Sequence, residues 1–144
     1  MGTQLQIIQA VMDIVSAVSG IREAPDYPPE QLSDFPFAVA FPGEGTHQFS
    51  VTGERMFLGN VILELHVSRV DLPLAVQNSI GFGDTIPNAL MKFTVTSGSL
   101  PLNGTCDTFE SIAQTFGELG WGDTQTLGYR FTIANIKART TLTA

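Results

Sequence analysis

The chain is short of basic residues, and this shortage limits its partners. Seven Lys and Arg residues stand against fourteen Asp and Glu residues, which gives a formal net charge of −7. Nucleic-acid phosphates and anionic membrane surfaces both favour basic patches, so we expect the protein to bind neither. Charged residues of either sign make up only 15% of the chain, which leaves much neutral surface for contacts with other proteins.

Cysteine, long apolar runs and a secretion signal are scarce or missing as well. The single cysteine, Cys106, cannot form an internal disulfide. Because no His or Lys lies close in sequence to activate it, Cys106 is predicted to be a small buried hydrophobe. No apolar segment approaches the roughly 20 residues of a transmembrane helix, and the first 20 residues lack the basic start of a signal peptide. We therefore expect a protein kept in a cytoplasm, with one domain over residues 1–144.

Recognisable catalytic and cofactor-binding motifs are also missing. No serine or threonine lies in a nucleophile elbow. The segments Gly43-Glu-Gly45 and Gly81-Phe-Gly83 lack the third glycine of a dinucleotide-binding loop. His47 and His66 are the only histidines, and a zinc site usually needs three or four protein ligands. The sequence thus predicts no catalytic residue, no cofactor and no metal, and it predicts surface or interface positions for both histidines.

Apolar residues at three- and four-residue spacing predict two helical regions. The first covers residues 4–19, with Thr3 as its N-cap and Gly20 after its end. The second covers residues 72–92, where Asp71 can accept a hydrogen bond from an amide of the first turn. The glycines of Gly81-Phe-Gly83 interrupt this second region, so we expect it to be broken or kinked.

Alternation of apolar and polar residues predicts strands before the second helical region. A short strand over residues 37–41 is closed by Pro42-Gly43. A long antiparallel hairpin then covers residues 46–69, with its turn at Gly53-Glu54. The period of two places Leu63 and its apolar neighbours on the core face of the second strand. The outward face is predicted to carry Asn60, Glu64, His66 and Ser68.

The last third of the sequence also predicts β structure. Phe93 and Val95 begin a short strand, residues 105–116 form a less clear one, and residues 117–123 form a Gly-rich turn. Alternation over residues 127–134 marks the final strand, and Ile136 breaks its phase, which indicates a bulge near Asn135. Together the elements predict an α+β fold, with two helices packed on one mixed or antiparallel sheet that includes a long β-hairpin.

The order of elements and two stretches of sequence resemble a known family. Leu119-Gly-Trp-Gly is followed after four residues by Leu127-Gly-Tyr-Arg-Phe-Thr-Ile-Ala, and this ending resembles the close of tail-terminator proteins of long-tailed bacteriophages. These are also called tail-completion or minor tail proteins of the neck. The N-terminal helix, the Pro-rich stretch, Phe35-Pro-Phe-Ala-Val and the long strand before an Asp-capped helix are similar too.

The resemblance implies a non-enzymatic ring, commonly of six copies. Such a ring sits on the last ring of tail-tube protein, stops tube growth and presents a surface to the head–tail connector proteins. It implies a place in the tail or neck of the virion, after assembly in the host cytoplasm. The family has no active-site residues, so the resemblance carries none over to this chain.

The same sequence features are consistent with two other functions. The first is another neck component, such as a head-closure or connector protein. The second is a small ligand-binding or enzymatic α+β domain with its site in the cleft between the sheet and the helices. A large ring or binding to tail tubes would favour assembly, whereas a compact monomer with a ligand in an apolar pocket would favour the last alternative.

Charges near the C-terminus predict how a ring would be held together. In a cyclic oligomer every contact is heterologous, so a basic strand can meet a neighbour's acidic loop. Trp121 is predicted to be exposed between glycines, where it can dock against a partner. The alternatives are that the charges pair within one hairpin, that they face water, or that two acids pair for acid–base chemistry. The acids are Asp107, Glu110, Glu118 and Asp123, and the bases that follow are Arg130, Lys137 and Arg139.

Overall fold

A computed structural model describes residues 3–25, 35–49, 53–67, 72–95, 101–122 and 124–141. In chain order the elements are α1 (Gln4–Ser16), β1 (Phe37–Phe49), β2 (Glu54–Val67), α2 (Leu72–Ser79), α3 (Phe82–Val95), the single turn α4 (Pro101–Gly104), β3 (Ser111–Trp121) and β4 (Thr124–Thr141). The four strands form one antiparallel sheet in the order β1-β2-β4-β3. The predicted α+β class is confirmed.

Helix α1 begins where the sequence places it, at a capping box. The Thr3 hydroxyl accepts a hydrogen bond from the Gln6 N–H, and the Gln6 side chain accepts one from the Thr3 N–H. Two amides without helical partners are thereby paired. The apolar face of the helix is buried, with Ile7, Val11 and Val15 fully enclosed. The helix packs against β1.

The main core lies between the helices and one face of the sheet. Leu63 and Leu65 of β2 meet Phe131 and Ile133 of β4 there, all fully buried, together with Ile86 from α3. Leu63 therefore faces the core as its alternation predicts. The second helical region is broken as expected, because α2 ends at Ser79 and α3 begins at Phe82.

The long hairpin is confirmed, although its first strand is longer than the sequence indicates. Residues 37–41 were predicted to be closed by Pro42-Gly43, yet β1 continues through them to Phe49. The register with β2 shifts between Pro42 and Gly45. Proline is tolerated here because β1 is an edge strand and the irregularity removes the need for a ladder donor. Ser68, predicted to face outward, and Asp71, predicted to cap a helix, lie outside the described residues.

Two predictions in the second half of the chain are wrong. Phe93 and Val95 do not start a strand, because α3 continues to Val95; the β preference of single residues is a weak signal when a helix is already under way. Residues 117–121 are not a turn either. They pair continuously with β4, and the chain reverses only between Trp121 and Thr124.

The bulge near Asn135 is confirmed. Asn135 has a φ of +57°, a left-handed conformation that asparagine tolerates better than most residues. The register of β2 with β4 shifts between Gly59 and Val61. At this point the Asn60 side-chain oxygen accepts a hydrogen bond from the Asn135 backbone N–H at 3.1 Å. The extra residue lets the long strand β4 change phase and bury Ile136 after Ile133.

Candidate functional site

The face of the sheet opposite the helices carries a buried polar group of four residues, which we call the Glu64 cluster: Glu64, His66, Thr126 and Arg130. Strand alternation places Glu64 and His66 on the same face of β2. The antiparallel register pairs Glu64 with Arg130 and His66 with Gly128. Thr126 follows on the same face of β4, so side chains far apart in sequence meet on adjacent strands.

Hydrogen bonds connect the four side chains of the Glu64 cluster into one chain. The Thr126 hydroxyl contacts Nδ1 of His66, and Nε2 of His66 lies 3.1 Å from Oε1 of Glu64. Arg130 donates from Nε and Nη2 to Oε2 of Glu64, at 2.9 and 2.7 Å. Both carboxylate oxygens are therefore occupied, as a buried carboxylate requires.

Burial and charge act in opposite directions on Glu64. Glu64 is 2% exposed and His66 is 0% exposed. Burial alone raises the pKa of Glu64, but the hydrogen bonds from His66 and Arg130 and their charges outweigh it, so that pKa lies below its ordinary value. The side chain of Arg130 is 51% exposed, so the positive end of the cluster reaches solvent while the negative end does not.

Aromatic side chains from the two outer strands cover the cluster. The ring of Trp121 on β3 lies 6.1 Å from that of His66 and 5.9 Å from that of Phe41 on β1. Phe37 and Val39 on β1 are buried on the same face. The sheet therefore has a second, smaller apolar layer that closes over the polar residues. Trp121 is half-buried in this layer at the end of a strand, and not exposed in a turn as the sequence suggested.

The burial of Glu64 and His66 corrects the predicted outward face of β2. Alternation correctly separates the two faces, but it does not tell whether the polar face is solvated or covered. Here Arg130 neutralises the carboxylate and Trp121 covers the imidazole. The prediction of a surface position for His66 is wrong for the same reason.

The connectivity of Thr126, His66 and Glu64 is that of a hydroxyl, a base and an orienting acid. A nucleophile must meet its substrate, however, and the Thr126 side chain is 1% exposed while His66 is enclosed. Glu64 is also held by Arg130. This geometry suits a clamp between β2 and β4 better than it suits a reaction centre.

The second histidine lies far from the first. His47 on β1 pairs with Phe57, whereas His66 pairs with Phe37 at the other end of the same hairpin. The two histidines therefore share a hairpin, as predicted, without sharing a site. Across the part of the chain that the structure describes, no three His, Cys, Asp or Glu residues are grouped so as to hold a metal ion.

The charges singled out in the sequence are partly paired inside the chain. Arg130 binds Glu64, and Nε of Arg139 lies 3.1 Å from a carboxylate oxygen of Asp107. The Glu110 carboxylate accepts a hydrogen bond from the Asn135 side chain at 2.5 Å. The contact between Arg139 and Asp107 agrees with the alternative that the charges pair within one hairpin, whereas Arg130 is paired by Glu64 of β2 and not by the acidic segment. Lys137 on β4 and Glu118 on β3 are exposed, and Asp123 lies outside the described residues.

A cleft of about 420 Å³ opens between α1 and α3. It is the feature that bears on the ligand-binding alternative, and its size falls within the range of small-molecule sites. Its lining is mostly small and apolar and includes one carboxylate and one ammonium group. The lining residues are Asp13, Ile14, Ala17, Val18, Thr85, Ala89 and Lys92.

Cys106 is buried, as the sequence predicts, and it lies against α4. Its Sγ is 3.7 Å from the Pro101 carbonyl oxygen. Burial, with a smaller contribution from the nearby Asp107, raises the pKa of the Cys106 thiol to about 12. The reactive thiolate is therefore scarce in the folded protein at neutral pH.

We accordingly expect the folded protein to resist a chromogenic thiol reagent at pH 8. One equivalent should react after unfolding in urea, because the thiol then recovers its ordinary pKa. The control is the same assay on Cys106→Ala, which should show no reaction in either state. Complete reaction of the native protein at the rate of a free thiol would contradict the burial described here.

Within the described residues, none of the helices combines the length and apolar content that a membrane span requires. Comparison with protein-family models finds no matching family, and comparison with curated proteins finds no match either.

Proposed function

We propose that the chain is a non-enzymatic structural subunit that forms a ring at the head-proximal end of a phage tail tube. The ring, commonly of six copies in the family that the sequence resembles, ends tube polymerisation and joins the tail to the head connector. The partners are then further copies of the chain, the tail-tube protein and the connector proteins. The place of the protein is the neck of the virion, after assembly in the host cytoplasm.

One observation carries most of the proposal. The part of the sheet beyond the two register shifts, which we call the arm, consists of Gly45–Phe49 in β1, Glu54–Gly59 in β2 and Ile136–Thr141 in β4. All of the β1 residues in the arm are exposed, and Phe49 near its tip is 76% exposed. An exposed aromatic side chain at the end of a paired arm is a natural anchor for a contact with another protein.

The charges of the arm support the same proposal. Lys137 and Arg139 lie on adjacent outward positions of β4 in the arm, where Arg139 also contacts Asp107 of the same chain. A contact between the arm of one copy and an acidic surface elsewhere on the next copy, which the net charge of −7 favours, is heterologous, and a closed ring needs contacts of this kind. Charge complementarity would steer this contact and fix its register.

The experiment compares two exposed apolar positions. Phe49→Ser in the arm should leave the monomer folded, because the side chain is mostly in water, and should abolish ring formation and capping of tail tubes. Leu74→Ser in α2, which is also exposed, is the matched control and should assemble normally. Sedimentation velocity measures the ring, and negative-stain microscopy measures the lengths of tail tubes polymerised with and without the protein.

The outcomes separate the alternatives. A ring that binds connector proteins but leaves tube length unchanged would indicate another neck component. A wild-type protein that stays monomeric at all concentrations, even with tail tubes present, would contradict the proposal and leave the cleft between α1 and α3 as the better candidate. Reversal of Arg130 is not a suitable test of assembly, because that side chain holds the buried Glu64.

A further inference from the structure

The two outer strands of the sheet differ in how their free edges are protected. The edge of β1 is covered at its start, where the Ala38 N–H donates to the Glu23 carbonyl oxygen at 2.8 Å. It is interrupted further on by Pro42 and the register shift that follows. Coverage, proline and bulges are the devices by which proteins prevent unwanted edge pairing.

Among the described residues, none provides strand β3 with coverage, a proline or a bulge. Its eleven residues, Ser111–Trp121, pair with β4 in unbroken register. The strand contains no Pro, and its one charged residue is Glu118. No strand in the described parts of the chain pairs with its outer edge. A long, regular and unprotected edge is a template for another strand.

Apolar side chains beside this edge are left in water. Phe116 in the middle of β3 is exposed, although its ring contacts Tyr129 with a centroid distance of 4.9 Å. The Tyr129 hydroxyl donates to the carbonyl oxygen of Ile80 at 3.2 Å, and the Ile80 side chain is also exposed. Phe116 and the backbone of Ile80 thus both contact Tyr129, and the side chains of Phe116 and Ile80 are both exposed.

The sequence of β3 is complementary to itself about its central residue. Phe116 is the middle of the eleven residues, so an antiparallel pairing centred there sets each Phe116 opposite its copy. The same register sets Gln114 opposite Glu118 and Ile112 opposite Gly120. It also sets Leu119 opposite Ala113, so in this pair and in the pair of Ile112 with Gly120 a large residue lies opposite a small one. No charged residue lies opposite another of the same charge. Aromatic pairs stabilise neighbouring strands, and a glutamine amide can donate a hydrogen bond to a carboxylate opposite it.

We infer that β3 pairs with β3 of a second copy of this chain, about a two-fold axis at Phe116. The two four-stranded sheets then join into one continuous sheet, and the Phe116 side chains are covered. This contact is isologous, unlike the contacts of a cyclic ring. It therefore goes beyond the proposed function and does not depend on it.

Cysteine cross-linking tests this register directly. Residues directly opposite each other in antiparallel strands have Cβ atoms about 4.5–5.5 Å apart, close to the spacing that a disulfide needs. Phe116→Cys should therefore form a covalent dimer on mild oxidation, at micromolar concentration. Gln114→Cys is the control, because its copy lies four residues away along the pairing. The native Cys106 is buried and does not interfere.

The readouts are non-reducing electrophoresis for the cross-link and sedimentation velocity for the wild-type mass. We expect Phe116→Cys to cross-link at least tenfold faster than Gln114→Cys, and the double variant Gln114→Cys with Glu118→Cys to cross-link without any change at Phe116. Equal rates for the two single variants, or a double variant that stays monomeric, would overturn the inference. Cross-linking without any ring would uphold it while contradicting the proposed function.

Discussion

Replacing Glu64 by alanine is expected to lower the free energy of unfolding by about 2–4 kcal/mol. Removal of one partner from a fully buried ion pair typically costs about 3–5 kcal/mol, and the half-exposed Arg130 reduces this cost because water can solvate it. His66 has no such relief, since it is enclosed and loses the acceptor for Nε2. The loss should approach that of Leu63→Ala, for which truncation of a buried leucine predicts about 2–5 kcal/mol.

Urea unfolding measures this loss of free energy. It can be followed by the fluorescence of Trp121, the only tryptophan, which lies beside the cluster. Glu44→Ala on the exposed part of β1 is the matched control, and surface changes of this kind stay within about 0.5 kcal/mol. Equal stability of the Glu64 and Glu44 variants would show that the cluster contributes nothing.

The pH dependence of this stability has a definite sign. Because the pKa of Glu64 is lower in the folded state, its contribution is complete at neutral pH, above the pKa of the unfolded chain. It is lost as the pH falls through the folded-state pKa, in the acid range. The difference in the free energy of unfolding between wild type and Glu64→Gln should therefore become smaller as the pH falls.

Replacing Gly128 by alanine is expected to cost more than about 4 kcal/mol, a range that few single substitutions reach. A Cβ atom at this position would lie 1.8 Å from the carbonyl oxygen of Leu65. That oxygen belongs to the backbone of the neighbouring strand, so no rotamer change can relieve the overlap. The strands β2 and β4 would have to separate beside His66, which pairs with Gly128. Loss of the near-ultraviolet circular dichroism signal at room temperature is the expected result.

Gly117 provides the control for this substitution. It pairs directly with Gly128 across the β3–β4 ladder, yet a Cβ atom there would meet no atom within 4 Å. Gly117→Ala should leave the stability within about 1 kcal/mol of wild type, since alanine also restricts the unfolded chain. A soluble, fully folded Gly128→Ala protein would show that the two strands are not held as closely as described.

Local patterns were sufficient for much of the fold. The capping residue Thr3 and the three- and four-residue spacing predicted α1, and the phase break at Ile136 predicted the bulge at Asn135. These features depend on neighbours in sequence. The course of β1 through Pro42 was not predictable in this way. A strand can continue through a proline when it lies at the edge of the sheet, and the local sequence does not show which strands are at the edge.

The Glu64 cluster shows why the candidate site was missed. Glu64 and His66 belong to β2, and Thr126 and Arg130 belong to β4, so their meeting depends on a register between distant segments. Alternation along a strand predicts the face of the sheet on which a side chain lies, but it does not predict whether other residues cover that face. A signal was present: one face of each strand carries several polar or charged residues, and Glu64 comes to face Arg130 once the strands pair. Only the correct register turns that pattern into a buried ion pair.

The strand order β1-β2-β4-β3 also bears on how the chain folds. Each outer strand forms a hairpin with its neighbour in sequence, so both hairpins can close over short loops. The central ladder, between β2 and β4, joins the two halves of the chain and must close a loop that contains α2, α3 and β3. Loop-closure entropy opposes this ladder more than either hairpin, and non-local pairing slows folding. The rate of folding should therefore be set by the encounter of two preformed hairpins, with the bulge at Asn135 aligning them.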